Sequence, residues 1–142
     1  MISTHDPILG PVIVLVLWTC FMQTWMALTR IPYMAKNRIH PQKGERTAEL
    51  GKLLPKEIQW KADNYNHLME HPTIFYATAV VWALLGTAGT LIVSVAWVYV
   101  GLRVVHSLVQ ATLNRVLPRL ILFAISSLAV LWMAVHAALV VL

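Results

Sequence analysis

Three long uncharged stretches are the feature that most limits what this chain can fold into. Residues 7–29, 71–102 and 120–142 contain no Asp, Glu, Lys or Arg. A transmembrane helix needs roughly 20 consecutive apolar residues, so the first and last stretches each fit one span. As a single helix the middle stretch would be about 48 Å long, at about 1.5 Å per residue. That length exceeds a hydrocarbon core of about 30 Å, so the middle stretch must turn.

The turn is predicted at "GTAGT", Gly86 to Thr90, because two Gly with Thr disfavour a helix. The mean hydropathy of +0.67 and a charged fraction of 12% also indicate an integral membrane protein, since soluble domains carry roughly 25% charged residues. The predicted fold is all-α, a single four-transmembrane-helix bundle. The predicted spans are 7–29, 61–85, 90–113 and 119–142, with a connecting loop at 30–60.

Lys and Arg residues predict the orientation. Eight of the 11 lie from Arg30 to Lys61, and the others are Arg103, Arg115 and Arg119. By the positive-inside rule both charged connections are cytoplasmic, with both termini on the opposite side. The net charge of +5 then reflects topology and contact with membrane lipids. The sequence has no basic surface interleaved with aromatic residues, so it does not predict nucleic-acid binding. Within the 30–60 loop, "KGERTAELGKLL" is predicted to hold a helical turn or two.

Polar residues line one face of the predicted second helix. The residues that recur at helical spacing are Asp63, then Asn66 or His67, and then Glu70. Ionisable groups within a span cost a few kcal/mol each and normally face the bundle interior or a subunit contact. The alternative is that the membrane helix begins near Pro72 and leaves this stripe among lipid headgroups.

The third helix carries a matching stripe in "LRVVHSLVQATLNRV". Its members are Arg103, His106, Gln110 and Asn114. Arg103 lies about two turns inside the predicted helix end, so it needs an anion nearby. A carboxylate, Glu70 or Asp63, is one candidate partner, and an anionic ligand is the other.

Arg30 and Lys61 are predicted to reach the same membrane level as Arg103, which makes all three candidate contacts for an anion. Hydrogen bonding is the favoured role for His67, His71 and His106, and no metal site is predicted. The sequence lacks Gly-rich phosphate loops, HExxH and CxxC motifs.

The polar segments "NHLMEHPTIF" and "RVVHSLVQ", within four spans, resemble the MAPEG family, the membrane-associated proteins in eicosanoid and glutathione metabolism. "LTR" at Leu28 to Arg30 is similar to the end of the first helix in microsomal glutathione transferases. The resemblance implies a homotrimer of four-helix bundles that binds glutathione between subunits near the cytoplasmic face. It also implies a lipophilic electrophile that arrives through the lipid. The second and third helices resemble a bacterial branch, which implies the bacterial inner membrane.

The polar stripes and the resemblance together give two groups of candidate site residues. The candidate catalytic residues, which would stabilise a glutathione thiolate, are Arg103, Arg115 and Arg119. The candidate ligand-binding residues are Arg30, Lys61, Asp63, Asn66, Glu70, Arg103, His106 and Gln110.

Some positions depart from the family motif. Asn66 and Pro72 match the helix-two motif, but its Arg and Glu positions hold Ala62 and Met69, and Lys61 and Glu70 are each displaced by one residue. Gln110 stands where a Tyr is expected. Two hypotheses remain open: a glutathione transferase or peroxidase, and a non-catalytic scaffold, lipid-binding protein or accessory subunit that keeps the fold.

Overall fold

The computed structural model describes residues 6–45 and 47–142, and this part of the chain is helical without strands. Four helices are long and apolar enough to cross a membrane when the adjoining α3 and α4 are counted as one. The prediction of an all-α protein with four spans is therefore confirmed. The six helices are α1 (Leu9–Lys36), α2 (Thr47–Leu53), α3 (Lys56–Glu70), α4 (Thr73–Leu85), α5 (Thr90–Thr112) and α6 (Val116–Val141).

The bundle has a narrow interior and a broad apolar exterior. Helix α1 packs against α3, α4 and α5, while α6 packs against α4 and α5. Small residues at the contacts let neighbouring backbones approach closely, as is common in membrane bundles. The buried alanines are Ala62, Ala79, Ala83, Ala96, Ala111 and Ala137. Most large apolar side chains of α6 face outward, which suits a helix surrounded by lipid.

The predicted turn between the second and third spans lies where expected. Helix α4 ends at Leu85, and Gly86 adopts φ 62°, a left-handed conformation that Gly accepts without a Cβ penalty. The Gly86 amide donates to the carbonyl of Trp82. Thr90 then begins α5.

The second span is two helices rather than one. It begins at Lys56, earlier than the predicted 61, and it is interrupted between Glu70 and Thr73. Pro72 explains the interruption, because proline has no backbone N–H and its ring clashes with the preceding turn. The polar stripe is helical, because it lies on α3. The alternative, in which the membrane-buried part of this span begins near Pro72, stays open.

Two other helix ends differ from the predicted bounds. Helix α1 was predicted to end at residue 29 but continues to Lys36, with Pro32 inside it. Helix α6 was predicted to start at 119 but starts at Val116. Pro118 lies in its first turn, where amide groups have no helical partner to lose, so the proline is tolerated there.

The connection between α1 and α3 contains short helical pieces, as predicted. Pro41–Gly44 forms a 3-10 helix, and α2 follows it. Leu50 and Leu54 are buried, and α2 packs against the 3-10 helix. Arg46 lies outside the described residues. The side of the membrane on which this connection lies stays a prediction.

Candidate functional site

Arg103 is at the centre of the polar interior. Its side chain is fully buried on α5. Its Nε donates to the hydroxyl of Tyr99 at 3.2 Å, its Nη1 to Nε2 of His67 at 3.1 Å, and its Nη2 to Nδ1 of His71 at 3.2 Å. All three partners can accept a hydrogen bond without carrying a negative charge. The guanidinium is thus hydrogen-bonded but not neutralised.

The predicted carboxylate partner is not found. Asp63 and Glu70 are both exposed, and within the described residues no carboxylate accepts a hydrogen bond from Arg103. Asp63 instead accepts a hydrogen bond from Gln59 at 2.8 Å. The ion-pair interpretation of Arg103 therefore does not hold, and its charge is available to an anion.

Helix spacing explains how two histidines reach one guanidinium. His67 and His71 are four residues apart at the end of α3, so they project from the same face toward α5. Phe123 of α6 closes the group from the other side. Its ring meets His71 edge-on with centroids 4.4 Å apart, and the Arg103 guanidinium carbon lies 5.6 Å from its centroid. That distance allows a cation–π contact.

A cavity of about 320 Å³ lies beside this cluster, between α3, α5 and α6. It is lined by His67, His106, Val116, Arg119, Leu120 and Phe123. His106 is almost fully buried, and its ring stacks on His67 with centroids 4.9 Å apart. The cavity therefore has a polar wall of two imidazoles and a guanidinium, and an apolar wall from α6.

Arg119 contributes an unused hydrogen-bond donor. Its Nη1 donates to Oδ1 of Asn114, but its Nε is enclosed and has no partner among the described residues. Asn114 adopts φ 48° at the corner between α5 and α6, which places its side chain beside Arg119. Arg115, the other late Arg, is exposed at the start of α6 and does not line the cavity.

The remaining predicted cations lie on a different face, between α1 and α3. Arg30 donates from Nη2 to Oε1 of Gln59 at 3.1 Å. Lys61 donates to the carbonyl of Glu57, and its Nζ lies 5.2 Å from the centroid of Trp25. Within one chain, Arg30, Lys61 and Arg103 are thus not brought together.

The other predicted ligand-binding residues divide into exposed and buried groups. Asn66 is exposed, as Asp63 and Glu70 are, whereas Gln110 is buried with Oε1 enclosed and unpartnered among the described residues. His136, in the last span, donates from Nδ1 to the carbonyl of Trp132 at 2.9 Å.

Several polar residues of the interior, among them His71, Tyr99 and Asn64, were not among the predicted site residues. His71 and Tyr99 hold Arg103, and Tyr99 precedes it by four residues, a helical spacing that could have identified it. Asn64 is fully buried and donates from Nδ2 to Oγ of Ser107 at 2.6 Å, joining α3 to α5. No local signal distinguishes Asn64 from the exposed Asn66.

The three histidines near Arg103 do not form a metal site. Within residues 6–45 and 47–142, no group of three or more His, Cys, Asp or Glu side chains is arranged to hold a metal ion. Arg103 donates to Nε2 of His67 and to Nδ1 of His71, so neither lone pair is free to bind a metal ion. The arrangement suits an anion, because its available groups are hydrogen-bond donors.

Comparison with known proteins supports the family indicated by the motifs. A search of curated proteins finds no match, and a search of solved structures finds none either. The model of the MAPEG family matches residues 8–139, which include α1 to α5, all but the last two residues of α6, and every residue lining the cavity. The chain therefore belongs to the MAPEG family, membrane proteins of eicosanoid and glutathione metabolism.

Proposed function

We propose that this protein binds glutathione, or a similar anionic thiol, with the sulfur in the cavity beside His67, His106 and Arg119. The observation that carries the proposal is a cavity of about 320 Å³ that is lined by Arg119, His67 and His106, with no carboxylate among its lining residues. A cation withdrawn from water normally has an anionic partner. A thiolate or carboxylate in the cavity would supply that partner to Arg119.

The charges around the cavity support an anionic ligand. Arg103 and Arg119 both place a guanidinium group within the bundle. Neither donates a hydrogen bond to a carboxylate among the described residues. A buried charge without a counter-charge is costly, and an anion nearby offsets that cost. The same cations favour the thiolate over the thiol, and the thiolate is the nucleophile.

The apolar wall supports a lipophilic co-substrate. Val116 and Leu120 are exposed on the outer surface of α6 while also lining the cavity. A molecule dissolved in the bilayer could therefore approach the sulfur without crossing water. In a conjugation the thiolate forms a bond to an electrophilic carbon, and the leaving group departs with the bonding electrons.

The exposed polar residues of α3 support a homotrimer. Asp63, Asn66 and Glu70 are exposed on a helix that belongs to a predicted membrane span. Such residues usually face another protein surface rather than lipid. In a trimer a neighbouring chain would cover them, and its Arg30 and Lys61 would hold the carboxylates of the tripeptide.

Paired variants test the proposed site. Glutathione binding to the detergent-purified protein is measured by equilibrium dialysis, with the ultraviolet absorbance of the thiolate recorded in the same titration. Arg119→Gln should weaken binding about tenfold and reduce the thiolate absorbance, because the loss of a charged hydrogen bond costs about 1.5–3 kcal/mol.

Arg115→Gln is the matched control, since Arg115 lies four residues away and does not line the cavity. Its binding should stay close to that of the wild type. Equal losses in both variants would refute the site, and a wild-type protein without affinity for glutathione would refute the function. Tight binding without thiolate absorbance would show that the thiol is held but not activated.

A further inference from the structure

We infer that Arg103 acts on the cavity through His67, by fixing this histidine as a hydrogen-bond donor to the bound anion. Arg103 is fully buried and does not line the cavity, whereas His67 contacts both Arg103 and the cavity. Arg103 is then a positioning residue, and His67 is the group that touches the ligand. The identity of the anion rests on the proposed function, but the tautomer of His67 does not.

The hydrogen bonds determine where the imidazole protons lie. A guanidinium has five N–H donors and no acceptor. Nε2 of His67 receives a hydrogen bond from Arg103, so this nitrogen carries a lone pair and the ring proton is on Nδ1. His71 receives its hydrogen bond at Nδ1, so its proton is on Nε2. One arginine thus holds two neighbouring histidines in opposite neutral tautomers.

The free nitrogen of His67 is available to a ligand. Its Nδ1 has no hydrogen-bond partner among the described residues and is not one of their enclosed unpartnered atoms. Because His67 lines the cavity and its Nε2 is occupied by Arg103, the Nδ1–H is the donor it can offer there. A positive charge on the far side of the ring strengthens that donor.

Among the described residues, no carboxylate belongs to the group of side chains that surrounds the His67 ring. The titratable and charged side chains around its ring come from α3, α5 and α6. They are His71, Arg103, His106 and Arg119. Asp63 and Glu70 of the same helix are exposed. An anion in the cavity therefore meets donors from His67 and Arg119 without a neighbouring carboxylate.

Nitrogen-15 NMR of histidine-labelled protein in lipid nanodiscs tests the tautomers without any ligand. His67 should show a protonated Nδ1 and His71 a protonated Nε2, with each signal assigned through its loss in a single substitution. Arg103→Met should move His67 toward the Nε2–H form that free imidazoles prefer. His136, whose Nδ1 donates to the carbonyl of Trp132, should keep its signals and serves as the internal control.

A wild-type His67 protonated on Nε2 would overturn the inference, and so would a His67 signal unchanged by Arg103→Met. Both results are independent of glutathione. The tautomer experiment can therefore succeed when glutathione binding fails, in which case the proposed function is wrong and the role of Arg103 stands.

Two substitutions of His67 test the consequence for binding. Asn places its amide near the position of Nδ1 and can still donate to the cavity, whereas Gln places its amide near Nε2 and can accept from Arg103 without reaching the cavity. His67→Asn should bind glutathione within about threefold of the wild type and keep the thiolate absorbance, and His67→Gln should lose about tenfold in affinity. The reverse order would show that His67 serves only to hold Arg103.

Discussion

The hydrogen bond between Asn64 and Ser107 joins α3 to α5 beside the site, and its removal should measurably destabilise the bundle. Both residues are fully buried, and Nδ2 of Asn64 lies 2.6 Å from Oγ of Ser107. Oδ1 of Asn64 is enclosed and already lacks a partner among the described residues. Ser107→Ala would therefore leave both polar atoms of one buried amide unpaired.

The expected magnitude follows from that geometry. Leaving a buried donor unsatisfied costs about 1–3 kcal/mol, while hydrogen bonds between membrane helices average about 0.6 kcal/mol with a maximum of about 1.7. We expect Ser107→Ala to lower the free energy of unfolding by about 1–2 kcal/mol. Combining it with Asn64→Leu removes both polar partners at similar volume, and the double variant should recover to within about 1 kcal/mol of the wild type.

Reversible unfolding in mixed micelles measures these differences. Ser126→Ala is the matched control, because Ser126 is equally buried but its hydroxyl donates to the carbonyl of Phe123 in its own helix. Its effect should stay below about 0.5 kcal/mol. If Ser107→Ala cost no more than this control, or if the two changes at 64 and 107 simply added, the cross-helix bond would contribute nothing and the reasoning would fail.

Three further predictions follow from the helix ends and the buried charge. Gly86→Ala should cost about 1 kcal/mol in thermal unfolding, since it forces a left-handed Ala although nothing lies within 4 Å of the new Cβ. Gly101→Ala, inside α5 and equally free of atoms within 4 Å of the new Cβ, should not destabilise the protein. In a Cys20→Ser background, an impermeant maleimide added outside spheroplasts should label Gly89→Cys and not Lys43→Cys, and the opposite pattern would invert the predicted topology. Arg103→Met leaves no carboxylate without its partner, so we expect a small loss in the free energy of chemical unfolding. Breaking a buried ion pair costs about 3–5 kcal/mol, and a loss of that size would mean that a counter-charge is present.

The spans were predictable because they depend on properties of short segments. The length of an uncharged segment identifies a span regardless of which helices that segment packs against. Gly86 indicates a turn because glycine accepts backbone conformations that other residues avoid. Helix ends were harder to predict. Pro118 does not stop α6 because it lies in the first turn, where no helical hydrogen bond is lost. Helix α1 continues four residues past Pro32, and nothing in the sequence indicates that it should.

The site was only partly predictable. Helical spacing correctly grouped Arg103 with His106 on a buried face, but the partner of Arg103 was inferred from charge alone. The structure supplies three neutral acceptors, which depend on how α3 rotates against α5. That rotation also determines which of Asn64 and Asn66 is buried, because the two residues are two positions apart on α3 and lie on opposite sides of it. A sequence shows that such residues share a helix but not which side meets the neighbour.

Pro72 has a consequence for how the protein fits bilayers of different thickness. It divides the second span, so that α3 is held by α1 and α5 while α4 is held mainly by α6. Membrane helices accommodate a thinner or thicker hydrocarbon core largely by tilting. Because the helix is interrupted at Pro72, we expect a change in bilayer thickness to alter the tilt of α4 more than that of α3. The distance between His67 and Arg103, which lie on α3 and α5, should then stay the same.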